Sequence, residues 1–115
     1  MDFPQEIVLE NAQCRMEFHL PAKAASSCGA TVRDKATGLM LRGGLCEAEV
    51  FWTSPQRSEI QKDIEIVAAE KRGPEQAIFR FAAGRARTRF EMCVTLEGRE
   101  FTVRFPWSAI AEPRR

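Results

Sequence analysis

The sequence lacks most of the side chains on which catalysis and cofactor binding usually depend. It contains one histidine and no tyrosine among its 115 residues. It has no GxSxG segment and no glycine-rich loop of the kind that cradles phosphate. A histidine that acts as a general base needs an orienting carboxylate and a nucleophile. Only Glu17, on the same face of the predicted strand as His19, is placed to orient it. An exposed histidine is the favoured interpretation, and we predict no enzyme activity and no cofactor.

The cysteines are few and widely spaced. Cys14, Cys28, Cys46 and Cys93 form no CxxC pair and no cluster with histidine, so the ligand spacing typical of zinc sites is missing and we predict no metal. The first residues contain no basic region followed by an apolar run, which is the pattern of a secretory signal. We therefore expect reduced thiols in a cytoplasmic protein rather than disulfides in an exported one. No apolar run approaches the roughly 18 residues that a membrane-spanning helix needs, and we predict no membrane association.

The chain also has no excess of charge. Seventeen lysines and arginines balance sixteen aspartates and glutamates, for a formal net charge of +1. A protein that binds nucleic acid through its backbone phosphates usually carries a clear basic excess. The balance makes nucleic acid an unlikely partner.

What the sequence does contain is apolar alternation with a period of two, which is typical of β-strands. We predict a single all-β domain over residues 1–115, of about eight strands, with residues 108–115 as a flexible tail. Its C-terminal half is predicted to be a four-stranded antiparallel meander. Alternation alone does not separate a small β-barrel from a two-sheet sandwich, and both remain open.

The meander, over residues 62–107, has three predicted turns. They lie at Lys71–Pro74, at Ala83–Gly84 and at Glu97–Gly98. The resulting register places Ile66 opposite Phe79, Phe79 opposite Thr88, Ala77 opposite Phe90, Met92 opposite Val103 and Phe90 opposite Phe105. Because a slip of one residue inverts a strand, agreement among three turns on one inward face is informative. The predicted core comprises Trp52, Phe79, Phe81, Phe90, Met92, Phe105 and Trp107.

The N-terminal half is less regular. A turn or bulge near Glu10–Ala12 would reconcile two strands of opposite parity. A hairpin is predicted over Ala30–Leu41, with Gly38 in the left-handed conformation. We expect Gly43 and Gly44 to interrupt the chain, and Pro55 to begin a short helix in the connection to Ile60.

One group of arginines forms a candidate anion site. Alternation places Arg87 and Arg89 on one strand face, with Arg80 adjacent across the hairpin, and we call these three the arginine cluster. Guanidinium groups bind phosphate or carboxylate in a fork geometry. The favoured alternative is a solvated face neutralised by carboxylates such as Glu65 and Glu91.

Val67 and Ile78 form a candidate interface. The predicted register places them opposite each other on the outward face, where they are either covered by the N-terminal half or contact a partner. The leading functional hypothesis is a non-catalytic protein-interaction or assembly module, with a protein partner or a weak homo-oligomer. The alternative is a small β-barrel that binds an anionic ligand such as a nucleotide through the arginine cluster.

Overall fold

The structure is a computed structural model that describes residues 3–46, 50–53, 58–61, 63–83 and 88–106, with the backbone alone at residues 50–53 and 58–61. The described residues form ten strands and one 3₁₀ turn at Ala25–Ser27. The strands are β1 (Glu6–Glu10), β2 (Cys14–His19), β3 (Gly29–Asp34), β4 (Met40–Gly44), β5 (Val50–Thr53), β6 (Ser58–Gln61), β7 (Ile64–Arg72), β8 (Gln76–Ala83), β9 (Thr88–Glu97) and β10 (Glu100–Arg104).

Eight of these strands build two antiparallel sheets. The N-terminal sheet has the order β1-β2-β3-β4, and the C-terminal sheet has the order β10-β9-β8-β7. Strands β5 and β6 form a separate hairpin between them in the sequence. The all-β prediction is confirmed, and so is the C-terminal four-stranded meander. Of the two architectures left open, the sandwich fits, because the sheets do not close into a barrel.

The core lies between the inner faces of the two sheets. Phe18 from the N-terminal sheet packs on Phe79 from the C-terminal sheet, with ring centroids 4.9 Å apart. Phe81 and Phe90 stack beside them at 5.0 Å. Four of the predicted core residues, Phe79, Phe81, Phe90 and Met92, are buried as expected. Alternation thus assigned these strands to the correct face.

Phe105 is an exception, because 47% of its surface is exposed. The prediction that Phe105 belongs to the core is therefore wrong. The side chain of Trp52 and all of Trp107 lie outside the described residues, as do residues 108–115, which were predicted to form a tail.

The register of the meander differs from the predicted one at every hairpin. Gly98 and Arg99 form the last loop instead of Glu97 and Gly98, so that Val103 lies opposite Val94 rather than Met92. In the preceding hairpin Phe81 lies opposite Phe90 and Phe79 opposite Met92, since that hairpin closes at Ala83 and Thr88. These shifts are even-numbered, so the predicted partners are wrong while the predicted faces hold.

In the first hairpin of the meander the difference is of another kind. The pairing of β7 with β8 shifts between Ile66 and Ala68, where Val67 forms a β-bulge. Ile66 lies opposite Phe81, but beyond the bulge it is Ala69, rather than Ala68, that turns inward and lies opposite Phe79. A bulge adds one residue to one strand and reverses the alternation after it.

The N-terminal half follows its predictions in part. The turn between β1 and β2 is present, with the Asn11 side chain accepting hydrogen bonds from the backbone N–H groups of Gln13 and Cys14. Gly38 has a φ of 76°, as the β3–β4 turn requires. One prediction is wrong, because Gly43 and Gly44 continue β4 instead of interrupting the chain. Residues 58–61 form a strand, and Pro55, where a short helix was predicted to begin, lies outside the described residues.

Candidate functional site

One side of the sandwich is closed by contacts between the two sheets. Strand β1 lies beside β7 and β8, and the backbone N–H of Glu10 donates to the carbonyl of Pro74 at 3.0 Å. The N–H of Ile66 donates to the carbonyl of Lys23 at 2.7 Å, next to an isolated bridge between Ala24 and Glu65. The edges of β1 and β7 are thus both covered.

The opposite side, bordered by β4 and β10, is not covered by any of the described residues. Every residue of β4 and of β10 is exposed. Across the N-terminal sheet, Leu9, Met16, Val32 and Leu41 form one inward row, along which the exposed fraction rises from zero at Leu9 to 61% at Leu41. The matching row of the C-terminal sheet, Ala77, Val94 and Val103, rises from zero to 44%. The inner faces therefore separate towards this side.

The separation leaves a cleft of about 440 Å³. Its lining is almost wholly apolar and includes Leu41 from β4 and Phe101, Val103 and Phe105 from the β10 segment. Arg42 is the one charged residue among the described residues that line it. A continuous exposed apolar surface beside a polar rim is typical of a contact site for another polypeptide.

One end of the cleft is bounded by an ion pair between the sheets. Arg99, in the β9–β10 loop, donates from Nε and Nη2 to the two carboxylate oxygens of Asp34, at 3.1 and 3.0 Å. Asp34 also accepts a hydrogen bond of 2.7 Å from the Thr37 hydroxyl. The hydrogen bond from Thr37, and after it the one from Arg99, lower the pKa of Asp34. Nearby, Asn11 Nδ2 donates to the carbonyl of Gly98 at 2.9 Å.

Strand β4 has few of the features that usually protect a free edge. Protected edges are short, bulged, or rich in lysine and proline. Here Leu39, Met40 and Leu41 are three consecutive exposed apolar residues, and Gly43 and Gly44 follow after Arg42. A Cβ atom added at Gly43 would meet nothing within 4 Å, so another backbone can approach closely.

The outer face of the N-terminal sheet holds a second, polar depression of about 420 Å³. It is lined by Arg15, Glu17, His19, Thr31, Arg33, Met40 and Arg42. Arg15 is neutralised there, because its Nε lies 2.7 Å from Glu17 and its Nη1 lies 3.2 Å from Glu10. The hydrogen bond from Arg15 lowers the pKa of Glu17, and the nearby positive charge of Arg33 lowers it further.

Arg33 and Arg42 make no ion pair or hydrogen bond to any residue in the described part of the chain. They are diagonal neighbours, since Arg33 lies opposite Met40 and Arg42 follows Met40 by two residues on β4. Sequence reasoning missed this pair. The hairpin predicted over Ala30–Leu41 was given no register and stopped before Arg42, whereas the two arginines meet only through the β3–β4 register.

The predicted arginine cluster is only partly described. Arg80 is already paired, with its Nε 3.2 Å from Glu91 and its Nη2 3.7 Å from Glu70. Arg89 is exposed and lies opposite Ala82, and Arg87 lies outside the described residues. Of the two carboxylates expected to neutralise this face, Glu91 pairs with Arg80, whereas Glu65 lies opposite Ala82.

The predicted interface does not have the expected geometry. Ile78 lies opposite Glu70 rather than Val67, and only 3% of its surface is exposed. Val67 is partly exposed at the bulge. The expectation of an exposed Val67–Ile78 pair is therefore wrong, although no observation tests whether Val67 contacts a partner.

His19 lies on the outer face, near two carboxylates. Its Nδ1 is 3.5 Å from Glu6, and its Nε2 is 3.7 Å from Glu17, the carboxylate that the sequence suggested. Within the described ranges, no three His, Cys, Asp or Glu residues are grouped so as to hold a metal ion. Nor does any helix in that part of the chain have the length and apolar character needed to cross a membrane.

The chain matches no protein-family model, no curated protein sequence and no solved structure. The cleft and the arginines are therefore the features that point to a function.

Proposed function

We propose that this protein is a non-catalytic interaction module that binds an extended segment of a partner protein at the open side of its sandwich. The segment adds as a strand to β4 and places alternate side chains in the cleft. The observation that carries the proposal is the exposed inner-face row of Leu41, Phe101, Val103 and Phe105 beside a free edge strand.

Strand addition fits this site because it satisfies two needs together. The N–H and C=O groups on the outer edge of β4, which no described strand pairs with, gain backbone hydrogen bonds, and these give affinity without sequence preference. Every second side chain of the added strand points towards Leu41 and the β10 residues, which gives specificity for apolar side chains.

The other side chains of the added strand lie on the outer face, beside Arg42. A carboxylate there completes a favourable cross-strand charge pair with an arginine that has no partner within the described residues. We therefore expect the bound segment to alternate apolar residues and to carry an acidic residue on its outward face.

A selection from a displayed library of random peptides of about ten residues, roughly the longest common strand length, tests the proposal. Selection on the unmodified protein is expected to enrich alternating apolar sequences. Leu41→Lys should abolish the enrichment, because it places a charge in the cleft. Leu39→Lys is the matched control, since Leu39 is equally exposed but does not line the cleft. If the unmodified protein and Leu41→Lys yield the same sequences, the proposal is wrong.

A second candidate function is the binding of a small anionic ligand. Arg33 and Arg42 favour it, because they line the polar depression of the N-terminal sheet and form no ion pair with any described residue. Within the arginine cluster proposed from the sequence, Arg80 is the less suitable residue, since Glu91 and Glu70 already neutralise it. Arg87 and Arg89 remain part of this alternative.

A further inference from the structure

We infer that β10 pairs with β10 of a second copy of this chain, in an antiparallel register centred on Thr102. This interface lies on the other free edge of the sandwich and does not depend on the partner proposed for β4. The inference starts from the charges on β10. Glu100 stands at one end of the strand and Arg104 at the other, both exposed.

Neither charge has an ion-pair partner among the described residues, and Arg104 instead hydrogen-bonds the thiol of Cys93, which lies opposite it on β9. The cross-strand neighbour of Glu100 is Glu97, so that two like charges lie directly opposite each other on β9 and β10. Such a pair is unfavourable, and a positive charge on the free side of Glu100 would offset it.

A second copy supplies that positive charge if the two copies are related by a two-fold axis that passes through Thr102, perpendicular to the sheet. In this register Glu100 of each copy lies opposite Arg104 of the other, which forms two equivalent ion pairs. Phe101 of each copy lies opposite Val103 of the other, on the cleft side. All four apolar side chains then lie side by side on one face, which is the arrangement that cross-strand pairing favours.

If the two-fold axis is shifted by one residue, Glu100 of one copy no longer lies opposite Arg104 of the other. Centred on Phe101, the pairing places Glu100 opposite Thr102 and leaves both of its charges without partners. Centred on Val103, it places Arg104 opposite Thr102, with the same loss. If β4 paired in the same way with β4 of a second copy, with Met40 opposite Gly44, Arg42 of one copy would lie opposite Arg42 of the other, and the two like charges would repel. The charges of β10 therefore fit a second copy of β10, whereas those of β4 do not fit a second copy of β4. We infer that the chain associates with itself through β10 and that β4 binds a different partner.

The test is the mass of the full chain in solution, measured by analytical ultracentrifugation over a range of concentrations. Because a single strand pair buries little area, we expect a weak and reversible dimer. Glu100→Arg and Arg104→Glu should each weaken it by about tenfold or more, since each replaces two ion pairs by two like-charge contacts. Circular dichroism checks that both variants are folded.

Two further measurements make the test specific to this register. The double variant Glu100→Arg/Arg104→Glu should dimerise like the unmodified chain. An equimolar mixture of the two single variants should form a mixed dimer, because both of its charge pairs are then complementary. Glu65→Arg, an equal change of charge on β7, should leave association unchanged. A monomer at every concentration, a dimer insensitive to Glu100→Arg, or single variants that fail to associate with each other would each overturn the inference. None of these outcomes alters the peptide-selection result at β4.

Discussion

Arg99 and Asp34 join the two sheets at one end of the open cleft through a bidentate ion pair, with distances of 3.1 and 3.0 Å. The arginine is in the loop of the last hairpin, and the aspartate ends β3. Towards this end the β9–β10 loop is held against the β3–β4 turn. The pair thus joins the two sheets beside the strands that border the cleft.

The ion pair predicts an acid-dependent loss of stability. Hydrogen bonds from Thr37 and Arg99 lower the pKa of Asp34 below that of an unfolded aspartate, about 3.9. The stabilisation is therefore complete above roughly pH 4 and is lost as the pH falls through the lower pKa of the folded state. In urea unfolding between about pH 6 and pH 2, the stability difference between the unmodified protein and Asp34→Asn should shrink with acid. A constant difference would show that the Asp34 carboxylate does not contribute through its charge.

Two phenylalanines on the inner face of the C-terminal sheet should differ sharply in their contribution to the free energy of unfolding. Phe79 is fully buried against Phe18, whereas Phe101 on the free edge is 42% exposed. Phe79→Ala should lower the free energy of unfolding by about 3–5 kcal/mol, because it leaves a cavity in the core. Phe101→Ala should cost less than about 1 kcal/mol. Equal losses in chemical denaturation would mean that the cleft is closed in solution.

Two glycines in one hairpin offer a similar contrast. Gly38 has a φ of 76°, while Gly43 lies in β4 with open space around its Cα. Gly38→Ala should destabilise the protein by about 1 kcal/mol, since side chains disfavour the left-handed conformation. Gly43→Ala should be neutral or stabilising by up to about 0.5 kcal/mol. Thermal unfolding of the two variants provides the comparison, and a larger loss at Gly43 would contradict the described conformation of β4.

The anion-binding alternative predicts which arginines matter. If a nucleotide or inorganic phosphate binds the polar depression, it should raise the melting temperature at low salt, where screening is weak. Arg33→Ala and Arg42→Ala should each remove that shift, and Arg89→Ala should leave it intact. The reverse result would favour the arginine cluster on the C-terminal sheet. No shift with any of these anions would dismiss the alternative.

Part of the candidate site was accessible from the sequence. Alternation correctly turned Val103 towards the same face as Met92, and it correctly placed Gly38 in a left-handed turn. Alternation did not predict the register, because one extra residue in a turn or a strand changes which residues lie opposite each other. The turn that pairs Arg72 with Gln76, the bulge at Val67 and the one-residue shift of the last loop have no signature in the apolar period. The first changed the partner of Ile78, the bulge reversed the alternation of β7, and the last changed the partner of Met92.

The amino-acid pattern by itself determined the all-β class, the meander and the inward face of its strands, apart from the part of β7 beyond the bulge at Val67, because side chains alternate along a regular strand. Only the tertiary structure decided which inward residues are covered. Val94 and Val103 are chemically identical, share one face and lie directly opposite each other, yet the first is 1% exposed and the second 44%. Burial depends on whether the facing sheet is close, and the two sheets meet at β1 and β7 but separate at β4 and β10. That separation converts part of an ordinary apolar pattern into the surface on which the proposed function depends.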